Sequence, residues 1–363
     1  MIDIEKFLEK YYKKNDKIIL ACSTWPDSMF LLYKILKTKY KKNLIVCHFN
    51  HKTRVETDRE EEFIKQIWKK EKFKVEITKY DFKNPPNSLN KEEQITKKKK
   101  LQPLVNNISS NKDLKQPFVK NISPNKGLQP LVHFTNSFEE LAREKRYTFF
   151  RNIKKKYNAK YIITAHHLDD KIETFYFNLN RWSKLSGLIN MTEISLDILR
   201  PILNIKKSEI LDYLNKNNLK YFIDKSNFDI NISRNYLRHE IIPKFEKINK
   251  NFKQNISKTL NYFENLKEFI DEEVKKFLDS FLISNNHSSN KKFFEIKSFN
   301  LLSNFLQKEV IRYIYYISNN NSTIWLSEAN INEIIKFING KNNKTIKEIK
   351  NLKMKKDNNL IIY

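Results

Sequence analysis

The chain has 363 residues, 40% of them hydrophobic, which suits two or three domains with a core in each. Lys and Arg number 69 against 42 Asp and Glu, so the net charge of +27 favours a polyanionic partner, above all nucleic acid. Alternatively, the excess of lysine reflects the base composition of the genome and not binding, because a chain rich in Lys, Asn and Ile with only 3 Gly is typical of an AT-rich genome. Two cysteines exclude a disulfide framework or a zinc ribbon, and no run is long and apolar enough for a signal peptide or a membrane span. We therefore expect a cytoplasmic protein without membrane association.

A strand, a polar loop and a helix open the first predicted domain. After a short helix within residues 2–14, the apolar run from Ile18 to Cys22 predicts a buried parallel strand. The loop 23–28 follows, and apolar residues then recur with helical spacing from Met29 to Leu36. Pro26 suits the first turn of this helix, where its missing N–H costs nothing. Such a loop favours an anion, commonly a phosphate, although an ordinary strand-to-helix turn has the same pattern.

Strands and helices continue to alternate up to residue 222, apart from one insertion. Further strands are predicted at 44–49, 73–77 (near an edge), 161–165 and 198–203. The intervening helices are predicted at 57–70, 137–157 and 208–218, and a further helix continues from about 174 to about 180. The first has Phe63, Ile64, Ile67 and Trp68 on its inner face. This alternation indicates an α/β fold over 1–222, with one doubly wound, mostly parallel sheet.

Residues 83–135 interrupt this pattern. They contain the lysine run 97–100 and a repeat of 13–14 residues whose register Pro103, Pro117 and Pro130 mark. Proline at this spacing forbids a continuous helix, so we predict a disordered or loosely extended insertion. The alternative is a basic arm that helps to hold nucleic acid. Beyond it, residues 223–330 have the spacing of a helical domain, and 331–363 predict a small C-terminal α+β segment.

Three polar clusters follow predicted strands, at 23–28, 48–54 and 166–174. Because the carboxyl ends of parallel strands meet at one edge of a sheet, we expect one crevice to hold all three clusters. Asp27 with one of the carboxylates Asp169, Asp170 and Glu173 could hold Mg²⁺ through oxygen ligands, and the other carboxylates could bind a cationic substrate. The pair His166-His167 is a poorer zinc site, since adjacent residues leaving a strand point to opposite faces.

At these residues the chain resembles the tRNA(Ile)-lysidine synthetases of the PP-loop ATP pyrophosphatase superfamily, which implies a PP-loop, Rossmann-like fold. Residues 165–174, AHHLDDKIET, are similar to the family's AHHxDDQxET, and 48–54, HFNHKTR, are similar to HxNHxLR. Residues 142–147 match ARxxRY, and Arg200-Pro201-Ile202-Leu203 matches an RPLL-like strand. Residues 224–243 are similar to DxSN…RNxxRHxIIP. The segments occur in family order and cover roughly 15–82 and 137–250.

The resemblance implies ATP-dependent ligation of lysine to a tRNA. ATP adenylates the C2 carbonyl oxygen of the wobble cytidine, position 34, in tRNA(Ile) with a CAU anticodon. The lysine ε-amine then attacks C2 and displaces AMP, which gives lysidine and changes decoding from Met to Ile at AUA. The implied cofactors and partners are ATP, Mg²⁺, L-lysine and this tRNA, and a homodimer stays open.

The resemblance also assigns roles to individual residues. The ATP-binding loop is Ser23, Thr24, Trp25, Pro26, Asp27 and Ser28, with Asp27 as the Mg²⁺ ligand. The catalytic set is Asp27, Asp169, Asp170, Glu173 and His51, and the general base is one of the last four. The tRNA-binding set is Arg143, Arg146, Arg234, Arg238 and His239, of which the last three could equally form structural salt bridges.

The chain departs from the family at its most diagnostic loop. The family pattern is SGGxDS, whereas Thr24 and Trp25 replace both glycines here. Glycine permits positive φ and lets backbone N–H groups come close to a phosphate. We expect the bulkier side chains of Thr24 and Trp25 to obstruct this close approach. Lys52 likewise replaces a family glycine. The first alternative function is therefore a tRNA-binding homologue with impaired catalysis. The second, a PP-loop tRNA thiolase, is disfavoured by the shortage of cysteines and by the RNxxRH segment.

Overall fold

The computed structural model describes residues 2–52, 56–80, 135–181, 183–223, 230, 232–281, 292–319, 326–343 and 345–363. The predictions for Arg54, for residues 224–227 and for the insertion up to 134 lie outside these ranges. The chain divides into two compact units, one of residues 1–183 and 190–257 and the other of 184–189 and 258–363. The boundaries proposed from the sequence at 222 and 330 stay predictions.

The first unit is built on a six-stranded sheet with the order β3-β2-β1-β4-β6-β5. The strands are β1 Ile18–Ala21, β2 Leu44–Asn50, β3 Lys74–Lys79, β4 Ile162–Ile163, β5 Ile194–Ser195 and β6 Ile198–Leu199. Neighbouring strands run parallel except for the antiparallel pair β5–β6. The predicted doubly wound, mostly parallel sheet is thus confirmed, with β3 at an edge as expected. Strand β4 is shorter than the predicted 161–165.

Helices connect these strands in the order that the hydrophobic spacing predicts. In the first unit they are α1 Ile4–Glu9, α2 Pro26–Leu36, α3 Glu56–Glu71, α4 Thr135–Lys156 and α5 Leu168–Asn180. Next come α6 Leu185–Leu188, which belongs to the second unit, α7 Lys207–Lys216, α8 Ser233–Tyr236 and α9 Ile242–Ile248, with a π-helical turn at Leu237–Ile241. Among the described residues, no helix is both long enough and apolar enough to pass through a membrane.

The core of the first unit lies where apolar strands meet apolar helix faces. Ile18, Ile19 and Leu20 are fully buried, as expected for a central strand covered on both faces. Both cysteines, Cys22 and Cys47, are buried free thiols in strand-associated positions, as their apolar surroundings predict. The expectation for Trp68 was wrong, because 42% of this residue is exposed at the C-terminal end of α3.

The second unit combines helices with a small antiparallel sheet. Its further helices are α10 Phe252–Asp279, which begins within the first unit, α11 Ile296–Leu301, α12 Asn304–Ser318 and α13 Glu328–Asn339. The strands are β7 Phe293–Glu295, β8 Ile346–Ile349, β9 Leu352–Asp357 and β10 Leu360–Ile362, in the order β7-β10-β9-β8. The predicted small C-terminal sheet is confirmed. Buried Val274, Phe294, Ile314 and Ile334 belong to one shared core.

Candidate active site

A cavity of about 520 Å³ opens at the carboxyl ends of the central strands β1, β2 and β4. All three polar clusters that the sequence singles out contribute to its lining, including Asp27, His51 and Glu173. The parallel arrangement of the strands explains this convergence, because each loop leaves the same edge of the sheet. The expectation that one crevice collects the three loops is confirmed.

The first loop, residues 23–28, is closed by its own serines. The backbone N–H of Ser23 donates to the Ser28 hydroxyl oxygen at 3.2 Å, and the Ser28 hydroxyl donates to the Trp25 carbonyl at 3.0 Å. The Thr24 carbonyl accepts a hydrogen bond from the Phe222 backbone N–H at 3.0 Å. Pro26 occupies the first turn of α2, as its missing N–H predicts. These bonds fix the turn from β1 into α2.

Thr24 adopts a backbone conformation that normally requires glycine. Its φ is 69°, in the left-handed region, and the residue is fully buried. A β-branched residue is a rare outlier there, because its Cβ crowds the backbone. Lys52, at the second family glycine position, also has a positive φ, of 51°. Trp25 has an ordinary φ of −76°. The chain therefore keeps the glycine-type turn at residue 24 without glycine.

Asp27 lies between two cationic groups in this cavity. Its Oδ1 is 2.5 Å from Lys207 Nζ and 3.4 Å from His167 Nε2. Burial by itself would raise the pKa of Asp27, but His167 and Lys207 together lower it to about 2. Asp27 is therefore ionised at neutral pH, as an oxygen ligand for a cation must be.

The two adjacent histidines have opposite protonation properties. Burial lowers the pKa of His167, but the carboxylates of Asp170 and Asp27 raise it to a net value of about 9. Burial, only partly opposed by Asp170, lowers the pKa of His166 to about 4, and this ring hydrogen-bonds with the Thr164 hydroxyl at 2.8 Å. His167 is thus a cation near neutral pH, whereas His166 is neutral.

The two aspartates at the start of α5 hold the loops together. Asp170 accepts the backbone N–H of His167 at 3.0 Å, which satisfies a free donor at the N-terminus of the helix. Asp169 accepts the backbone N–H of Lys207 at 2.8 Å through Oδ2, while its Oδ1 is 2.7 Å from Lys253 Nζ. Burial raises the pKa of Asp169, but these two partners leave it below its usual range.

Glu173 is buried on the next turn of α5 and is paired with Arg238. The guanidinium donates from Nε at 2.6 Å and from Nη2 at 2.8 Å, a bidentate pair. Arg238 comes from the π-helical turn, a feature that often occurs at functional sites. Burial outweighs the effect of Arg238 and raises the pKa of Glu173 above its ordinary value. Of the two roles considered for Arg238, the structure contains the salt bridge.

The remaining residues of the tRNA-binding prediction lie in two places. Arg146 and His239 line the cavity. Arg143 is exposed on α4 with its guanidinium 4.8 Å from the Tyr147 ring centre, and exposed Arg234 donates to the Thr174 hydroxyl at 3.1 Å. The geometry brings Arg146 and His239 next to the candidate catalytic groups and leaves Arg143 and Arg234 outside the lining of the cavity.

Two functional candidates, Lys207 and Lys253, were missed by the sequence analysis, although both line the cavity. Lys207 is the first residue of α7, and Lys253 is the second residue of α10. A cation in the first turn of a helix is disfavoured by the helix dipole. That unfavourable position is the signal that could have identified them, because a lysine there needs a carboxylate partner, and each has one.

An α/β sheet with a strand–loop–helix turn at its centre is the arrangement that many nucleotide-binding proteins share, and the sequence comparison places the chain in such a class. The family model described as the PP-loop domain matches residues 1–111 and 93–245. The chain belongs to the PP-loop family, and this membership implies that the domain uses ATP.

The chain is also similar to curated tRNA(Ile)-lysidine synthases. That of Mycoplasma mycoides subsp. mycoides SC is 28% identical over 327 residues, which cover 89% of this chain and 67% of that protein. That of Thermotoga maritima is 27% identical over 74% of this chain and 54% of that protein. That of Clostridium tetani is 31% identical over 72% of this chain and 47% of that protein. The chain thus spans about half to two thirds of the length of these relatives.

Among solved structures, the U34-tRNA thiolase NcsA from Methanococcus maripaludis aligns over 70% of this chain and 73% of that chain. The TM-score is 0.47 and the sequence identity is 17%.

Proposed function

We propose that this protein is an ATP-dependent ligase that attaches lysine to C2 of cytidine 34 in tRNA(Ile) with a CAU anticodon, through an adenylated tRNA intermediate. The product is lysidine, which changes decoding from Met to Ile. The main support is the cavity that brings the first loop, with Asp27, together with the carboxylates Asp169, Asp170 and Glu173. Similarity to named tRNA(Ile)-lysidine synthases supports the choice of substrate.

The first loop and Lys207 are the proposed site for the triphosphate. The N-terminus of α2 presents backbone N–H groups and the positive end of its dipole to an anion. The Ser23 hydroxyl lies beside it, 3.2 Å from the Ser28 hydroxyl, and can turn to donate to a phosphate oxygen, whereas the Ser28 hydroxyl already donates to the Trp25 carbonyl. The Lys207 ammonium adds a positive charge that stabilises the negative charge developing in adenylyl transfer.

Asp27 is the proposed protein ligand of Mg²⁺. It meets the main requirement, because it is an ionised oxygen donor beside the loop, and Mg²⁺ commonly takes one or two carboxylates together with phosphate oxygens and water. With Asp27 as its protein ligand, the ion would take its other ligands from phosphate oxygens and water. A bound Mg²⁺ supplies charge neutralisation at the phosphates. At Asp27 it competes with the Lys207 ammonium at 2.5 Å.

The carboxylates on α5 are suited to a substrate that has two ammonium groups. One amine of lysine must lose its proton before it attacks C2, and the other stays charged. We propose Glu173 as the general base among the four candidates, because burial raises its pKa above the ordinary value and a more basic carboxylate accepts a proton more readily. Asp169 is the weaker base, since despite its burial Lys253 and the Lys207 amide lower its pKa.

The tRNA is proposed to approach the cavity along its basic residues. Arg146 and His239 lie in the lining and can meet the phosphates next to the target nucleotide. Arg143 and Arg234 are exposed and can contact the backbone further away. The net charge of +27 supports association with a polyanion through release of counterions.

The alternative is a tRNA-binding homologue with impaired adenylation. One observation favours it: Thr24 and Trp25 place side chains where the family has glycine, and Trp25 is one of the residues that line the cavity. A side chain in that position reduces the access of a phosphate to the backbone amides.

Release of pyrophosphate from ATP separates the two functions. The ligase should release pyrophosphate only when a CAU-anticodon transcript is present, and with lysine added it should form lysidine. A matched transcript with uridine at position 34 is the control and should stay unmodified. If tRNA binds but no pyrophosphate appears at any ATP concentration, the impaired homologue is correct.

A further inference from the structure

One lysine of the chain, Lys253, occupies a part of the cavity where two carboxylates approach it. Lys253 Nζ lies 2.7 Å from Asp169 Oδ1 and 3.1 Å from Glu246 Oε1, so one ammonium group is held by two carboxylates. The Lys253 side chain is 22% exposed and lines the cavity. This part of the cavity is therefore built to bind a primary ammonium group, and it is reached from the space that a substrate would enter.

The geometry of Asp169 explains why an ammonium binds there. Its Oδ2 accepts the backbone N–H at the start of α7, which fixes the orientation of the carboxylate and directs Oδ1 toward Lys253. Lys253 itself is placed by the preceding Phe252, whose ring is stacked on Phe245 at a centroid distance of 5.0 Å and an angle of 12°. The lysine thus follows a residue that is packed by ring stacking, and it lies next to a carboxylate oriented by a backbone hydrogen bond.

We propose that Lys253 is an internal competitor of the amine substrate: its ε-ammonium occupies the Asp169–Glu246 pair, and a substrate ammonium binds there only by displacing it. This inference rests on the proposed function for the identity of the substrate as lysine. Free lysine has an ammonium group of the same chemistry as the Lys253 side chain, so the two compete for the same charge-assisted hydrogen bonds. The competition weakens the binding of free lysine through the ammonium group that stays charged; the other amine attacks after it has lost its proton.

Replacement of Lys253 by methionine tests the competition. Lys253→Met keeps a long apolar side chain and removes the ammonium, whereas Lys253→Arg keeps a cation at the pair. Lys244→Met is the matched control, because Lys244 lies nearby on α9 with its side chain 66% exposed and a pairing distance of 3.8 Å to Glu240. Far-UV circular dichroism establishes that each variant is folded.

The measurement is the dissociation constant of L-lysine, determined by calorimetry on the full chain. In the unaltered chain, lysine must break the charged hydrogen bond between Lys253 and Asp169 before it binds, and such a bond corresponds to roughly a tenfold change in affinity or more. Lys253→Met lacks this bond and should therefore bind lysine at least about tenfold more tightly. Lys253→Arg and Lys244→Met should bind it within about twofold of the unaltered chain. Weaker or unchanged binding in Lys253→Met would overturn the competition.

Failure of the competition can be told apart from failure of the proposed function. Because calorimetry with lysine requires no catalysis, the order of affinities tests the inference even if no lysidine forms. Conversely, lysidine formation by the unaltered chain together with unchanged lysine affinity in Lys253→Met would leave the ligase assignment intact and refute the role of Lys253.

Discussion

The strained backbone of Thr24 predicts that glycine stabilises the fold more than alanine at this position, the reverse of the usual order. An L-residue in the left-handed region costs about 1–2 kcal/mol relative to a right-handed conformation, and Thr24 has a φ of 69°. At an ordinary position, Gly is less stable than Ala by about 0.5–1 kcal/mol, because it loses more backbone freedom on folding. At position 24 these two effects oppose each other, and we expect relief of the strain to prevail.

The comparison uses two pairs of variants. Thr24→Gly and Thr24→Ala both remove the hydroxyl and the methyl group, so they differ mainly in the Cβ that causes the strain. Trp25→Gly and Trp25→Ala form the control pair, because Trp25 has a φ of −76°. The Gly-minus-Ala difference in the free energy of unfolding should be more favourable to Gly at 24 than at 25, by about 1–2 kcal/mol.

The assay is urea denaturation followed by far-UV circular dichroism, which does not depend on tryptophan fluorescence. If Ala is more stable than Gly by the same amount at both positions, position 24 is not strained and the reasoning is refuted. A preference for Gly at both positions would also contradict it, since nothing in the backbone at Trp25 requires glycine.

Four further predictions concern the cavity. The double variant Thr24→Gly/Trp25→Gly should bind ATP about tenfold more tightly by calorimetry, because backbone amides no longer covered by side chains can donate hydrogen bonds to the charged phosphates. Unchanged affinity would show that the side chains do not obstruct the phosphates. Lys207→Met should lower the free energy of unfolding at pH 7 by about 1–2 kcal/mol, a value reduced because the Lys207 side chain is partly exposed. This loss should vanish as the pH falls toward 2, because Asp27 then becomes protonated even in the folded chain. A loss that does not depend on pH would contradict the pairing of Lys207 with Asp27. Protonated His167 should stabilise the fold fully below pH 6.5 and lose this effect as the pH rises to about 9, because its pKa in the folded chain lies above the ordinary value. The free energy of unfolding should fall by about 3 kcal/mol over this range. Denaturation curves of His167→Gln should not show this fall. Arg238→Met should lower the free energy of unfolding by about 2–3 kcal/mol in urea denaturation, because Glu173 is left buried and unpaired, a value reduced because a third of the Arg238 side chain is exposed. Glu173→Gln in the same chain should recover part of the loss, and no recovery would mean that the pair does not carry the effect.

The parts of this fold that follow from local pattern could be predicted from the sequence. Continuous apolar runs located β1 and β2, and Pro26 marked the start of α2. The meeting of the three loops followed from a rule of topology, because parallel strands end at the same edge. Trp68 was wrongly predicted to be buried, because helical spacing shows which face of α3 packs inward but not whether the core extends to the last turn of the helix.

The partners within the site could not be predicted in the same way. The bonds of Lys207 to Asp27 and of Lys253 to Asp169 join residues far apart in the sequence, so spacing alone gives no indication of them. The backbone of Thr24 shows a different limit. The missing glycines predicted an obstructed phosphate site but did not reveal the backbone path, in which the surrounding bonds, including that from the Phe222 N–H to the Thr24 carbonyl, hold a glycine-type turn in place.

Transfer of labelled lysine to tRNA tests the central claim most directly. The full chain is incubated with ATP, Mg²⁺, isotope-labelled L-lysine and a tRNA(Ile) transcript with a CAU anticodon, and the nucleosides are then separated by mass spectrometry. The account predicts that label appears in a modified cytidine, only when ATP is present, and that Asp27→Asn abolishes it. Intact, unlabelled cytidine 34 in a transcript that the folded chain binds would contradict the ligase assignment.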